Sequence, residues 1–306
     1  MSAPIQANGE GGVRCCALVG DTDKSRASDA DSAGSGRGGR SLDTVEVAEC
    51  IEYMKALPDA CVDAVISDLP YGTTACKWDA VIPFAGLWAA WKRLLKPNGA
   101  IVLTASQPFT SALVMSNVKA FRHEWIWKKD KGGNIAVLKY QPAKVHESVL
   151  VFGFESPRYN PQMEVRPEAN RRNNAPRTNR CGVQGDKPFR VERSRGADAV
   201  KYPTSVKEYN CVRGGVHPTQ KPLELMRYLV RTYTNPGDVV LDMCCGSGTT
   251  LVAAKLERRQ FIGCDSEEKY VAMARKRLEL ELPWAAGVRS GDANGESKGG
   301  ACSPTQ

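Results

Sequence analysis

The chain has 306 residues, 42% hydrophobic and 25% charged, enough for one large α/β domain with an inserted or appended unit. Its eleven cysteines are odd in number and lack Cys-x-x-Cys spacing, which argues against a disulfide framework or a zinc site and for reduced thiols in the cytoplasm. A formal net charge of +8 fits an anionic partner, while the lack of a signal-like start or a long apolar run argues against secretion or membrane spanning.

Residues 1–41, rich in Gly, Ser, Asp and Ala, read as a disordered leader. Thr44 to Val47 is a predicted strand and Cys50 to Leu57 a helix. Pro58-Asp59 then turns the chain into the β-branched run Val62 to Ile66, which stops at Ser67-Asp68-Leu69-Pro70-Tyr71-Gly72. In open α/β sheets the ligand crevice lies beyond the carboxyl ends of the strands, so Asp68 and Tyr71 stand at its rim. Taken alone, the same residues serve equally well as a strand-terminating turn. Residues 73–79 form a loop over the crevice, where Lys77, Trp78 and Asp79 either shape a pocket or anchor the loop.

Phe84 to Leu95 is amphipathic and helical, closed by Lys96-Pro97-Asn98-Gly99 with Gly99 as the left-handed stop. A strand at Ala100 to Thr104, a helix at Thr110 to Val118, and strands at Glu124 to Lys128 and Ser148 to Phe152 follow. This alternation predicts an α/β fold, a doubly wound and mostly parallel sheet. It fails between Gly153 and Val216, where thirteen Lys/Arg stand against seven Asp/Glu, an excess of six, with Tyr159, Phe189, Tyr202 and Tyr209 interleaved. Regular structure resumes with a helix from Pro222 to Tyr233, a strand from Val239 to Met243, a glycine turn, and a helix from Thr250 to Leu256. A strand from Phe261 to Cys264 and a helix from Glu268 to Leu282 complete it.

The segment Asp242-Met243-Cys244-Cys245-Gly246-Ser247-Gly248-Thr249 is a strand end, a Gly-x-Gly turn and a helix start, with Asp265 at the end of the next strand. Glycines permit close backbone approach and a second-strand acid can take ribose hydroxyls, so the arrangement suits a nucleoside. Leu251 stands where a dinucleotide fingerprint wants a third glycine, and no Walker Gly-Lys-Ser/Thr is present. A nucleoside without phosphates fits better, and S-adenosylmethionine is the common one.

Together, Asp68-Leu69-Pro70-Tyr71 and Asp242 to Thr250 resemble motifs IV and I of β-class, permuted DNA amino-methyltransferases. Lys96 to Gly99, Pro142 to Glu147 and His217-Pro218-Thr219-Gln220-Lys221-Pro222 are similar to further family patterns, in the family's order. The resemblance implies a Rossmann-like methyltransferase fold with a catalytic half at 42–152, a basic target-recognition region at 153–216, a cofactor-binding half at 217–283 and a disordered tail at 284–306. It further implies transfer of a methyl group from S-adenosylmethionine to adenine N6 in double-stranded DNA. N4 of cytosine, an RNA or small-molecule substrate, and a catalytically silent DNA-binding protein are the alternatives.

By that resemblance the Asp68 carboxylate and the Leu69 carbonyl accept the amine hydrogens, Pro70 fixes the turn and Tyr71 stacks on the flipped base. Asp242, Cys244, Gly246, Ser247, Gly248, Thr249 and Asp265 form the cofactor site. Thr219 and Lys221 suit its carboxylate, and Glu49 is a further candidate. Arg171, Arg172, Arg190, Arg193 and Arg195, with Lys77 and Trp78, are the candidate DNA contacts. No metal is implied, and a homodimer or a cognate restriction nuclease remains open. Where the family often has Asp-Pro-Phe the chain has Asp242-Met243-Cys244, removing an aromatic expected against the cofactor's adenine. His146 and His217 are expected to orient backbone, and His123 to lie at the surface.

Overall fold

The computed structural model describes residues 42–74, 76, 79–166, 199–214 and 220–280. The expected leader and tail, Lys77, Trp78, Arg171, Arg172, Arg190, Arg193, Arg195, His217 and Thr219 lie outside these described residues. In chain order the elements are β1 (Thr44–Val47), α1 (Cys50–Lys55), β2 (Val62–Asp68), α2 (Phe84–Leu94), β3 (Leu95–Ala105), α3 (Phe109–Ser116) and β4 (Phe121–Lys128). There follow β5 (His146–Phe152), β6 (Glu164–Val165), β7 (Val200–Lys201), β8 (Val206–Glu208), α4 (Leu223–Tyr233), β9 (Val239–Asp242), α5 (Thr249–Leu256), β10 (Gln260–Asp265) and α6 (Glu268–Leu280).

Among the described residues eight strands form one sheet in the order β1-β10-β9-β2-β3-β5-β4-β8, and β6 pairs with β7 apart from it. The pairings from β1 through β3 are parallel, β5 runs antiparallel to both β3 and β4, and β8 joins β4 in parallel. Side chains alternate between two cores, as the two-residue period of a strand requires. Ala64, Ile66, Val102 and Val151 face the side covered by α4, α5 and α6, with Leu229, Leu251 and Val271 among its members. Val65, Ile101, Leu103 and Leu150 face the side of α1, α2 and α3, with Met54, Trp91 and Leu113. Burial on both faces is why β2 reads as a largely apolar run, interrupted by Asp63, rather than an alternating one.

Strands β2 and β9 are neighbours through Ala64↔Val240 and Val65↔Leu241. The two sequence motifs therefore end side by side, as the permuted order demands. Ser67 Oγ donates to Asp242 Oδ1 across that seam at 2.6 Å. Asp63 reinforces it, accepting the Val239 N–H at 2.9 Å and the Lys96 ammonium at 2.7 Å.

Two local expectations are corrected. Asn98, with φ 63°, takes the left-handed position in place of Gly99, and Lys96 to Gly99 lie inside β3. Asparagine tolerates that region. Gly99 answers to space instead, since a Cβ there would meet Leu95 Cδ2 at 2.6 Å and the Lys96 carbonyl at 3.0 Å. His123 is partly buried rather than superficial, its Nε2 lying 2.8 Å from the Tyr233 hydroxyl within a cluster of Trp125, Tyr159 and Tyr233. Burial lowers its pKa from the ordinary value. Among the described residues no helix is long and apolar enough to cross a membrane.

Candidate active site

The carboxyl ends of β1, β2, β9 and β10 surround a cavity of about 210 Å³. Asp68, Leu69 and Pro70 line it from β2, and Asp242, Cys244, Gly246, Ser247 and Thr249 from β9 and the turn beyond. Asp265, Glu49 and Lys221 complete the set of expected residues that the fold gathers there. Tyr71 and Gly248 are not among the residues that line the cavity.

Asp68 accepts from three side chains. Its Oδ1 accepts the Tyr71 hydroxyl at 2.6 Å and the Thr104 hydroxyl, and its Oδ2 accepts the Lys221 ammonium at 2.5 Å. Thr104 is Asp68's register partner on β3, so strand pairing supplies that donor. A carboxylate offers about four lone-pair directions, so three partners leave one open. Among the described residues no donor reaches the Leu69 carbonyl. The Leu69 side chain is 3% exposed and turns into the core under α2, which accounts for a large apolar residue at this turn.

Lys221 also approaches Glu147 Oε2 at 3.6 Å, and Glu147 in turn meets Lys129. Burial pulls the Lys221 ammonium's pKa down, but Asp68 and Glu147 outweigh it and hold it above the ordinary value. The expected carboxylate-holding lysine thus points its ammonium at Asp68. Tyr71 stacks on Phe109 with ring centroids 5.2 Å apart, and burial next to Asp68 and Glu147 raises its phenol well above the usual range.

On the β9 side, burial raises Asp242 to about 6 despite hydrogen bonds from Ser67, Thr250 and the Cys244 N–H, and the Asp68 charge adds to the rise. Asp265 accepts the Gly246 N–H at 2.9 Å and the Glu267 N–H at 3.0 Å, one bond on each oxygen, so each keeps acceptor capacity toward the cavity. Glu49 caps α1 through the Glu52 N–H at 2.9 Å and takes the Cys50 thiol at 3.2 Å. Burial pushes its carboxyl up, but these bonds and the Ile51 amide prevail and it titrates below the ordinary value. Gly248, with φ 75°, begins α5, and a Cβ there would meet Ala274 Cβ at 2.7 Å. Its requirement is close packing of α6. Cys244 faces the cavity near Cys50, whose hydrogen bond, together with burial, raises the Cys244 thiol well above its usual range.

Sequence reasoning left Thr104, Gln220 and Tyr270 unassigned. Gln220 Oε1 is buried without a described donor, and it lines the cavity. Tyr270 is the one ring among the described lining residues, on the helix that follows Asp265. Asp79 proves to be a loop anchor, accepting the Gly72 and Thr73 amides at 2.9 Å and the Thr74 amide at 2.7 Å.

The Asp68-Leu69-Pro70-Tyr71 turn and the Asp242 to Gly248 turn thus follow adjacent parallel strands, the arrangement that the resemblance to DNA amino-methyltransferases implies. A family model described as DNA methylase, covering the N6/N4 methyltransferases, matches residues 62–276, and the chain belongs to that family. Type II methyltransferase M1.MboII of Moraxella bovis is 25% identical over 260 residues, which span 79% of this chain and 98% of that protein. M.HpaI of Haemophilus parainfluenzae is 27% identical over 77% of this chain and 74% of its own length. M2.DpnII of Streptococcus pneumoniae is 52% identical over only 67 residues, so the match spans 25% of that relative. Among solved structures, the M1.HpyAVI–SAM complex aligns with TM-score 0.52 and 26% identity over 76% of this chain and 98% of that one. PvuII DNA methyltransferase, cytosine-N4-specific, aligns with TM-score 0.57 at 15% identity over 80% and 91%, a likeness of fold.

The family's cofactor is S-adenosylmethionine, and the residues present fit it. The orphaned Gln220 acceptor suits the methionine ammonium, the spare Asp265 lone pairs suit ribose hydroxyls, and Tyr270 offers a ring to the adenine.

Proposed function

We propose that the protein methylates the exocyclic N6 amine of adenine within a specific sequence of double-stranded DNA. The observation that carries this reading is the Asp68 carboxylate with one acceptor direction open beside the Leu69 carbonyl, at the wall of the cofactor cavity. An aromatic amine is a poor nucleophile because its lone pair is delocalised into the ring. Two acceptors set on its two hydrogens favour a pyramidal nitrogen with the lone pair aimed at the cavity, which is catalysis by orientation and electrostatics. S-adenosylmethionine supplies an electrophilic methyl group on a sulfonium. Transfer would break the sulfur–methyl bond as the N–C bond forms, the electron pair staying on sulfur as a neutral thioether, and the nitrogen would then lose one proton to solvent. Lys221, Tyr71 and Thr104 hold the Asp68 carboxylate in place throughout.

Such an amine is unreachable inside a duplex, so the target base leaves the stack. Aspartate at the first position of the Asp68 motif, where serine is commoner in cytosine enzymes, supports adenine. The relatives are Type II methyltransferases, which supports a modification role beside a cognate restriction nuclease. The test is incubation with methyl-labelled S-adenosylmethionine and unmethylated DNA, followed by digestion to nucleosides. Label is expected in N6-methyladenine; label in N4-methylcytosine would replace adenine by cytosine, and none on DNA would refute both. Asp68→Ala should abolish incorporation and leave cofactor affinity within about twofold.

A further inference from the structure

Residues 129–145, between β4 and β5, form an arm that leaves and rejoins the sheet at the edge carrying Asp68. Register fixes that edge: Lys128 pairs with His146, Val149 with Thr104, and Thr104 with Asp68. The arm is closed on itself at its base. The Lys129 N–H donates to the Val145 carbonyl at 2.8 Å and the Gly133 N–H to the Lys144 carbonyl at 3.1 Å. The Asn134 side chain accepts the Lys144 N–H at 2.7 Å and donates to the Pro142 carbonyl at 2.9 Å. The Lys144 ammonium reaches Ser106, close after Thr104, and Lys129 joins the Glu147–Lys221–Asp68 chain of charges.

What this braced arm displays is apolar. Ile135 is 76% exposed, Leu138 47% and Tyr140 81%, all within the turn that the Leu138 N–H to Ile135 carbonyl and Tyr140 N–H to Val137 carbonyl bonds close. Contiguous exposed apolar groups on a structured element mark a contact surface. Charge names the partner: residues 129–145 hold four lysines against Asp130 alone, and Asp130 is bound by the Cys211 N–H at 2.7 Å and by Arg213 at 3.3 Å. Lys139 stands exposed in the tip segment, and Lys131 stands exposed on the base of the arm. Lysines flanking aliphatic and aromatic side chains, on the edge where a target base must enter, match a nucleic-acid duplex. Phosphates take the cations, and the apolar tip enters the stack.

We infer that the 129–145 arm is a DNA-contacting wedge: Lys131 and Lys139 hold the backbone while Ile135, Leu138 and Tyr140 fill the stack that the target base vacates. The inference rests on the proposed methylation of duplex DNA. The test compares wild type with the triple variant Ile135→Ser, Leu138→Ser, Tyr140→Ala on unmethylated plasmid, intact and heat-denatured. All three side chains are exposed, and cofactor affinity by calorimetry reports that the fold is kept. Losing the wedge should lower kcat/KM on intact duplex at least about tenfold, with a smaller loss on denatured DNA. A second variant, Lys131→Gln with Lys139→Gln, should reduce the salt slope of DNA binding by about one to two. Duplex activity within about twofold of wild type would overturn the inference. So would equal losses on both DNA forms, a wild type that cannot use denatured DNA, an unchanged salt slope, or a triple variant that changes only its oligomeric state in sedimentation. If the wild type methylates no DNA at all, the failure lies with the proposed function.

Discussion

Asp242 is 2% exposed, and its carboxyl is lifted from 3.8 to about 6, first by burial and then by the Asp68 charge, against the hydrogen bonds that it accepts. A carboxyl whose folded pKa lies above its unfolded one contributes stability that is complete below the unfolded value and is lost as pH rises through the folded value. Ionised Asp242 therefore destabilises the folded protein at neutral pH, by about 3 kcal/mol at 1.36 kcal/mol per unit. Asp242→Asn keeps the shape and removes the titration. The extra amide hydrogens add an offset that does not depend on pH. Urea unfolding of both proteins across a pH series should show the variant gaining about 2 kcal/mol on wild type between about pH 4.5 and pH 7.5. A difference that is flat within about 0.5 kcal/mol, or that widens toward acid, would refute the buried-charge account.

Lys221→Met leaves Asp68 and Glu147 without their shared cation, which should cost about 3 kcal/mol in urea unfolding and slow methyl transfer by about a hundredfold. A loss below about 1 kcal/mol would mark the pair as a solvent-screened one. Gly248→Ala forces a side chain into the left-handed region and against Ala274, with an expected loss of about 2–4 kcal/mol in thermal or urea unfolding. Asp79→Ala strips the acceptor from three amides of the loop after Tyr71, and limited proteolysis should then cut within residues 72–79 faster than in wild type.

Much of the fold is legible because burial on both faces writes parallel strands as largely apolar runs, as in Val62 to Ile66, Asp63 excepted, and Val239 to Leu241. The ends of those runs, marked by acids and glycines, locate Asp68, Gly246 and Asp265 at one cavity. The partners of Asp68 are a different matter. Lys221 lies 153 residues away, and Thr104 meets Asp68 only through strand register, which no local pattern encodes. The exchange of roles between Asn98 and Gly99 has the same origin, since the space that Gly99 needs is set by Leu95 and Lys96 after folding. His123 precedes the predicted strand and reads as a surface residue, yet in the fold it packs against Tyr159 and Tyr233.

Strand β1 pairs with β10, although Thr44 precedes Ile262 by most of the chain. During synthesis, the first strand of the sheet therefore emerges long before its neighbour exists, and β9 must insert between β2 and β10 before β1 has an edge to join. Contacts this distant in sequence make assembly slow and late. The nascent chain holds an unpaired β2 edge, with its Val62 to Ile66 run, until β9 is made after α4. That makes this edge the place where helper proteins, or aggregation, act first.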